Sequence, residues 1–308
     1  LTGLGIGGEF AAGAALVAET FPDHARATAL GIVQATSALG NVAAGLINMG
    51  FAVFLPPDQG WRYILGVGAV PLLLIVVILA FIHEPDKWKA AREVSRQKKR
   101  DGVNETGSII ALFTEPQVRR NTFVGLALAA IGIIGFWGIS TWTPELLREM
   151  LQRTDPGMAK ETIERYVSMA GISQNIGAFF GALCFAWVAN RIGRRGAFAV
   201  ALILCLVEIP ATFFFTKTMG TALVFFFGMG FVLLFLLSGF AVYFPELFPT
   251  RLRATGTGFC YNVSRYLSAP SPAFFGTLSA AVGIQYAAVM ISSSFILGLA
   301  VLPFAPET

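Results

Sequence analysis

Charge is what this sequence has least of. Lys, Arg, Asp and Glu make up 13% of its 308 residues, while 55% are hydrophobic and the mean hydropathy is +0.69. Soluble globular domains carry roughly 25% charged residues, so a water-soluble fold is excluded. Histidine and cysteine are also scarce, two and three residues respectively. Cys184, Cys205 and Cys260 all lie inside apolar runs, without a C-x-x-C or a Cys/His pairing, so neither a disulfide framework nor a zinc site is indicated. No nucleophile stands beside a base and no phosphate-binding loop occurs, so an enzyme is not expected, nor is a metal or cofactor. A cleaved signal peptide does not fit the first run, which lacks a basic start and carries Glu9 in its middle.

What the chain has instead is length of apolar sequence. About nine runs approach the roughly 20 residues needed to cross a bilayer: 1–18, 28–55, 63–82, 122–143, 168–189, 196–215, 221–243, 255–278 and 284–303. Gly and Ala are scattered among Leu, Val and Phe without the strict alternation of barrel strands, so the spans are read as helices that satisfy their own backbone in lipid. The fold class expected is all-α, a polytopic membrane protein.

The net charge of +4 does not point to nucleic acid, because of where the charges fall. If the connection after the first span is cytosolic, Arg26, Arg191, Arg194, Arg195, Arg251, Arg253 and the Lys and Arg of 83–120 lie inside. Arg62, Arg148, Arg153, Lys160, Arg165 and Lys217 lie outside. That asymmetry sets topology, placing the chain in a cell membrane with its C-terminus cytosolic. The partner it implies is the lipid bilayer, and a monomer is expected. The basic stretch 83–120 reads as a cytosolic linker with a short amphipathic helix at the membrane surface.

The segment ETFPDHARATALG at 19–31 returns at 246–258 as ELFPTRLRATGTG. Both follow E-x-F-P-x-x-x-R-A-T-x-x-G, and both stand at the border of an apolar run. Pro22 and Pro249 suit a helix start, and Arg26 and Arg253 suit an inside interface, but neither requirement dictates the Phe, the Ala-Thr or the Gly. Internal duplication does. The second copy follows several spans and the first copy only one, so three helices are expected ahead of Leu1. The sequence then reads as part of a longer chain of six plus six spans.

These features together resemble the major facilitator superfamily of transporters, entered at its fourth helix. Asn190-Arg-Ile-Gly-Arg-Arg195 is similar to the family's D-R-x-G-R-R turn, with Asn in place of the first Asp. Glu19/Arg26 and Glu246/Arg253 resemble its paired E-x(6)-R connections, and 3–8 resembles its glycine-rich fourth helix. Glu84-Pro-Asp-Lys-Trp88 and Pro306-Glu-Thr308 resemble motifs of the sugar porter and metabolite:proton symporter branches, and the Gly-Gly-Glu ending at Glu9 leans toward acid-transporting members such as the sialic acid type. The stretch 132–147 lacks the Q-Q-x-S-G of sugar porters, which weakens a sugar as substrate. The resemblance implies a remainder of the N-terminal bundle at 1–82, an inter-bundle loop at 83–120 and a six-helix C-terminal bundle at 121–308. It also implies that the chain as given does not transport alone.

Charged groups in mid-membrane are the candidate chemistry. Glu9 lies ten residues from Glu19, about 15 Å along a helix, and is expected to exchange a proton or, in the plainer reading, to hydrogen-bond for packing. Arg265 lies twelve residues from Arg253, about 18 Å, and offers a planar fork to an anionic solute or a standing partner to a carboxylate. Gln34, Asn41, Gln174, Asn175, Tyr261 and Asn262 are the polar companions expected at the solute, with Trp137 as an aromatic wall and Trp142 as a wall or an interface anchor. The gate expected on the cytosolic side comprises Glu19 paired with Arg26, Glu246 paired with Arg253, and Asn190, Arg191, Gly193, Arg194 and Arg195. The function expected is proton-coupled symport of a small organic acid by alternating access. A sugar or polyol porter, and a non-transporting sensor or scaffold with the same fold, stay open.

Overall fold

The structure is a computed structural model describing residues 2–54, 60–81, 89–90, 93 and 107–308. Of the inter-bundle loop expected at 83–120, nearly all of 83–106 therefore lies outside the described residues, as does the motif at 84–88. Thirteen α-helices are delimited among the described residues: α1 (Thr2–Thr20), α2 (Asp23–Phe54), α3 (Gly60–Gly68), α4 (Leu73–Phe81), α5 (Ala111–Thr114), α6 (Pro116–Ser140), α7 (Thr143–Thr154), α8 (Lys160–Phe215), α9 (Met219–Leu247), α10 (Arg253–Ser268), α11 (Ser271–Val282), α12 (Ile284–Ser292) and α13 (Ser294–Val301). The expected all-α class holds, and each of the nine apolar runs falls on helix as far as it is described.

Five stretches among the described residues are long and apolar enough to cross a membrane, and one of them is α8 with 56 residues. A straight helix of that length would run about 84 Å, far more than the roughly 30 Å of hydrocarbon. Gly193 resolves this by leaving the helical region at φ 79° and ψ 169°, a conformation that glycine adopts without strain. The chain doubles back there. Phe185 and Phe198, on either side of the turn, bring their rings to 5.3 Å, whereas thirteen residues of straight helix would hold them about 20 Å apart. The two arms, α8a before Gly193 and α8b after it, are therefore separate spans.

Three expected spans are interrupted. Pro71 sits in a 3₁₀ turn, Val70–Leu72, between α3 and α4. Ala269 and Pro270 separate α10 from α11, because proline disfavours helical geometry in the residue before it and cannot donate to the turn. Ser293 separates α12 from α13, and its hydroxyl bonds back to the Met290 carbonyl at 2.6 Å.

The connection between the apolar runs 122–143 and 168–189 begins as a helix. Leu146, Leu147 and Leu151 of α7 are buried, while Arg148 on its polar side makes a bidentate pair with Glu164 at 2.9 and 3.0 Å. Trp142, just ahead of α7, is half-buried. Its indole N–H donates to the Pro272 carbonyl at 2.8 Å, and its ring stacks on Phe275. It pins the broken span α10–α11.

The core is aromatic and glycine-lubricated. Phe235, Phe185, Phe198 and Phe240 are fully buried and form, in that order, a chain of ring contacts. Helices pack closely at Gly177 and Gly181, where a Cβ would overlap the backbone carbonyl of Phe227 or Phe231 on α9. Between the halves, α1 meets α10 and α2 lies along α8a, where Gly31 faces Ala186.

Candidate functional site

A cavity of about 420 Å³ opens where the first half meets the second. From α1 come Glu9 and Phe10, from α2 Gln34, Ser37 and Asn41, and from α10 Tyr261 and Arg265. Ionisable groups at this depth cost too much to face lipid, which is why they converge on one polar space. Glu9 and Asn41 are exposed within it, and Gln34, Tyr261 and Arg265 are half-buried. The remaining wall is apolar, from Ala14, Leu30, Val33 and Ala241.

An aromatic ladder fixes the Arg265 side. Phe10 stacks on Tyr261 with ring centroids 3.8 Å apart, and the Arg265 guanidinium lies 5.6 Å from the Tyr261 ring. The contact joins the two halves beside Glu9. Phe10 and Ser37 were not anticipated, and only the adjacency of Phe10 to Glu9 could have drawn attention to either. Arg265 also borders a second cavity of about 220 Å³ with Trp137, Ser268 and Pro272, just where α10 breaks. A guanidinium between two cavities can be approached from both.

The other expected polar companions are placed elsewhere. Asn262 donates to the carbonyls of Gly7 and Gly258, each at 2.9 Å, tying α1 to α10. Asn175 donates to the Gly171 carbonyl on its own helix at 2.9 Å. The Gln174 carbonyl lies against Gly230, so this part of α8a is closed by α9. Trp137 is exposed and lines only the second cavity among these two. Glu208 lies apart, its carboxylate in the space left by Gly228.

At the end carrying the duplicated turns, the charges interlock differently from expectation. Glu246 is held not by Arg253 but by Arg194, through two hydrogen bonds at 2.9 and 3.0 Å. Arg253 instead reaches Glu19 of the first copy at 3.5 Å, joining the two halves, and donates to the Pro245 carbonyl at 2.9 Å. Doubling back at Gly193 brings Arg194 to α9, which is the physical reason for the exchange of partners. These pairs are buried, with side-chain exposures of 13% and 9% for Arg194 and Glu246, and 14% and 6% for Arg253 and Glu19. Breaking either pair leaves an uncompensated buried charge.

The end of the chain closes over the same place. Glu307 accepts the backbone N–H groups of Arg194 and Arg195, the second at 3.3 Å, and Thr308 donates to Glu246 at 2.6 Å. A side chain at Gly193 would meet the Glu307 carboxylate at 2.6 Å. Arg195 donates to the carbonyls of Leu302, at 3.2 Å, and Pro303. Asn190 accepts from Arg194 at 3.2 Å, so the amide substitutes for a carboxylate by its carbonyl oxygen alone. Arg191 turns away and lies 3.9 Å over the Trp187 ring.

Comparison with known proteins agrees with this architecture. The cis,cis-muconate transport protein of Acinetobacter baylyi is 29% identical over 309 residues, covering 99% of this chain and 70% of that protein. The probable 4-methylmuconolactone transporter of Cupriavidus pinatubonensis is 30% identical over 293 residues, covering 93% of this chain and 63% of that protein. The solved structure of the proton:xylose symporter XylE bound to 6-bromo-6-deoxy-D-glucose superposes with a TM-score of 0.70 at 15% identity, over 96% of this chain and 67% of that one. The family profile described as the Major Facilitator Superfamily matches residues 1–271. With that match over most of its length, the chain belongs to the major facilitator superfamily.

Proposed function

We propose that the chain is the part of a secondary transporter that binds a small organic acid and couples its movement to protons. The observation that carries this reading is that a carboxylate from the first half, Glu9, and a guanidinium from the second, Arg265, line the same cavity. Arg265 offers a planar cationic fork matched to a carboxylate, and Glu9 is the group we assign to proton coupling. Gln34, Ser37 and Asn41 orient the solute by hydrogen bonds, and Phe10 and Tyr261 press on its apolar body.

Alternating access requires the halves to separate and rejoin around this cavity. Arg253 with Glu19 forms the clasp between the halves that opens in each cycle on the cytosolic side, while Arg194 with Glu246 braces the second half beside it. Because the clasp is buried, opening must be coupled to solvation of the freed charges. Two relatives are named for transport of cis,cis-muconate and of 4-methylmuconolactone, which supports an acid over a sugar.

The test is uptake of radiolabelled carboxylates by cells expressing the natural gene under an imposed pH gradient. Uptake is expected to follow the gradient and to lose that dependence in Glu9→Gln. Unchanged coupling in Glu9→Gln would remove Glu9 from the mechanism. Competition by neutral sugars and not by carboxylates would establish the sugar-porter reading instead.

A further inference from the structure

The second duplicated turn is gripped from outside at three points. From α6, the Asn121 amide donates to the Leu247 carbonyl at 2.7 Å. Glu115, the residue just before α6, pairs with Arg251 at 2.6 Å. From the end of the stretch that joins the halves, the Gly107 N–H donates to the Arg251 carbonyl at 3.1 Å. Arg251 is thus held by both its side chain and its backbone, two residues before the Arg253 that reaches Glu19.

Each grip has a local cause. Glu115 stands at the N-cap of α6 with φ −83° and ψ 121°, and Pro116 fixes the helical position after it, so the carboxylate is presented from a rigid place. Gly107 has φ 68°, a left-handed conformation open to glycine, and in it the N–H meets the turn. Arg253 opens α10, whose N-cap Leu252 makes no side-chain bond to the helix, so the start of α10 takes its place from the turn before it. Within that turn the Leu252 N–H donates to the Pro249 carbonyl at 2.8 Å, and Leu252 is buried. The duplication sets Arg251 apart as well, because the matching position of the first copy is His24.

We propose that Glu115 and Arg251 are positioning residues for the clasp, holding the second turn where Arg253 meets Glu19. The inference rests on the clasp reading given above, and neither residue lines the solute cavity. The pair is partly exposed, 36% for Glu115 and 29% for Arg251, so its own contribution to stability is small and its effect lies in the placement of the turn. The Arg253–Glu19 contact is already long at 3.5 Å, so a small displacement of the turn weakens it. Because Gly107 ends the stretch that follows the first half, that stretch and the clasp both tie the first half to the same turn.

The experiment measures the separation of the halves in the product of the natural gene, cysteine-free and reconstituted in nanodiscs. Spin labels on cysteines placed at Thr20 and Arg191, both exposed and one on each half at the end carrying the turns, report closed and open populations as short and long distances by double electron–electron resonance. Glu115→Gln and Arg251→Gln are each expected to raise the ratio of open to closed about threefold, and the exchanged pair, Glu115→Arg with Arg251→Glu, to restore it. Both residues are partly exposed, so the variants retain the fold. In a Glu19→Gln background, which already lacks the clasp, neither variant should add to the shift, because a brace acting through the clasp is coupled to it whereas general loosening is not. A shift in Glu19→Gln with none in Glu115→Gln and Arg251→Gln overturns the positioning role and leaves the clasp. Full additivity with Glu19→Gln overturns it as well. No shift in Glu19→Gln removes the clasp itself, and the positioning role with it.

Discussion

Gly181→Ala is expected to lower stability by about 3 kcal/mol, the upper part of the range for overpacked sites. The reason is geometric. At Gly181 the added methyl would occupy the place of the Phe231 backbone carbonyl, and at Gly177 that of Phe227, so no rotamer change relieves it. The α8a and α9 backbones must move apart, which forfeits dispersion along the whole contact, and in lipid no hydrophobic drive between helices restores it. The gain in helix propensity from Gly to Ala, about 1 kcal/mol, offsets only part of this. Gly171, on the same arm, is the control: a Cβ there meets nothing within 4 Å. In unfolding followed by circular dichroism in micelles, Gly171→Ala should unfold no earlier than the parent chain. A Gly181→Ala midpoint equal to that of Gly171→Ala would contradict the packing account.

The second large effect concerns Arg265. Arg265→Gln is expected to weaken binding of a carboxylate solute by at least about 30-fold, because a buried anion loses its countercharge as well as two hydrogen bonds. It also releases the Tyr261 ring that the guanidinium faces at 5.6 Å. Arg265→Lys keeps the charge and loses the planar fork, so an intermediate loss of about tenfold is expected. Equilibrium binding and half-saturation of uptake both read this. An unchanged affinity in Arg265→Gln would show that the guanidinium serves packing, and the solute would then be neutral.

Much of the fold was legible because hydrocarbon thickness translates directly into run length, and because a doubled turn marks the same border twice. The residues of the cavity were legible for a related reason. Glu9, Gln34, Asn41, Tyr261 and Arg265 are polar at depths where only a wet or protein-lined space is tolerable. Pairing was not legible. Four charges sit near one border, but which Glu takes which Arg depends on the doubling back at Gly193 and on contacts spanning more than 200 residues, as between Glu19 and Arg253. Local composition is silent on that.

Other misses had signals that were present. The Leu146, Leu147, Met150 and Leu151 spacing marks α7 as an amphipathic helix, and Pro270 and Pro272 mark the break in the α10–α11 span. For Asn262, Asn175 and Gln174 no such signal exists. A buried amide can serve a solute, a neighbouring helix or its own helix, and only the packing partner decides. Asn262, bonded to the Gly7 carbonyl, went to a neighbouring helix.

The central claim is that Glu9, Gln34 and Arg265 face one space that water enters. Single cysteines placed at these three positions, in a background with Cys184, Cys205 and Cys260 replaced by serine, measure this directly. All three are predicted to react with a membrane-impermeant thiol reagent applied from at least one side, and a bound carboxylate should slow that labelling. If all three stay unreactive from both sides, with and without solute, the groups face lipid or closed packing, and the proposed transport site does not exist.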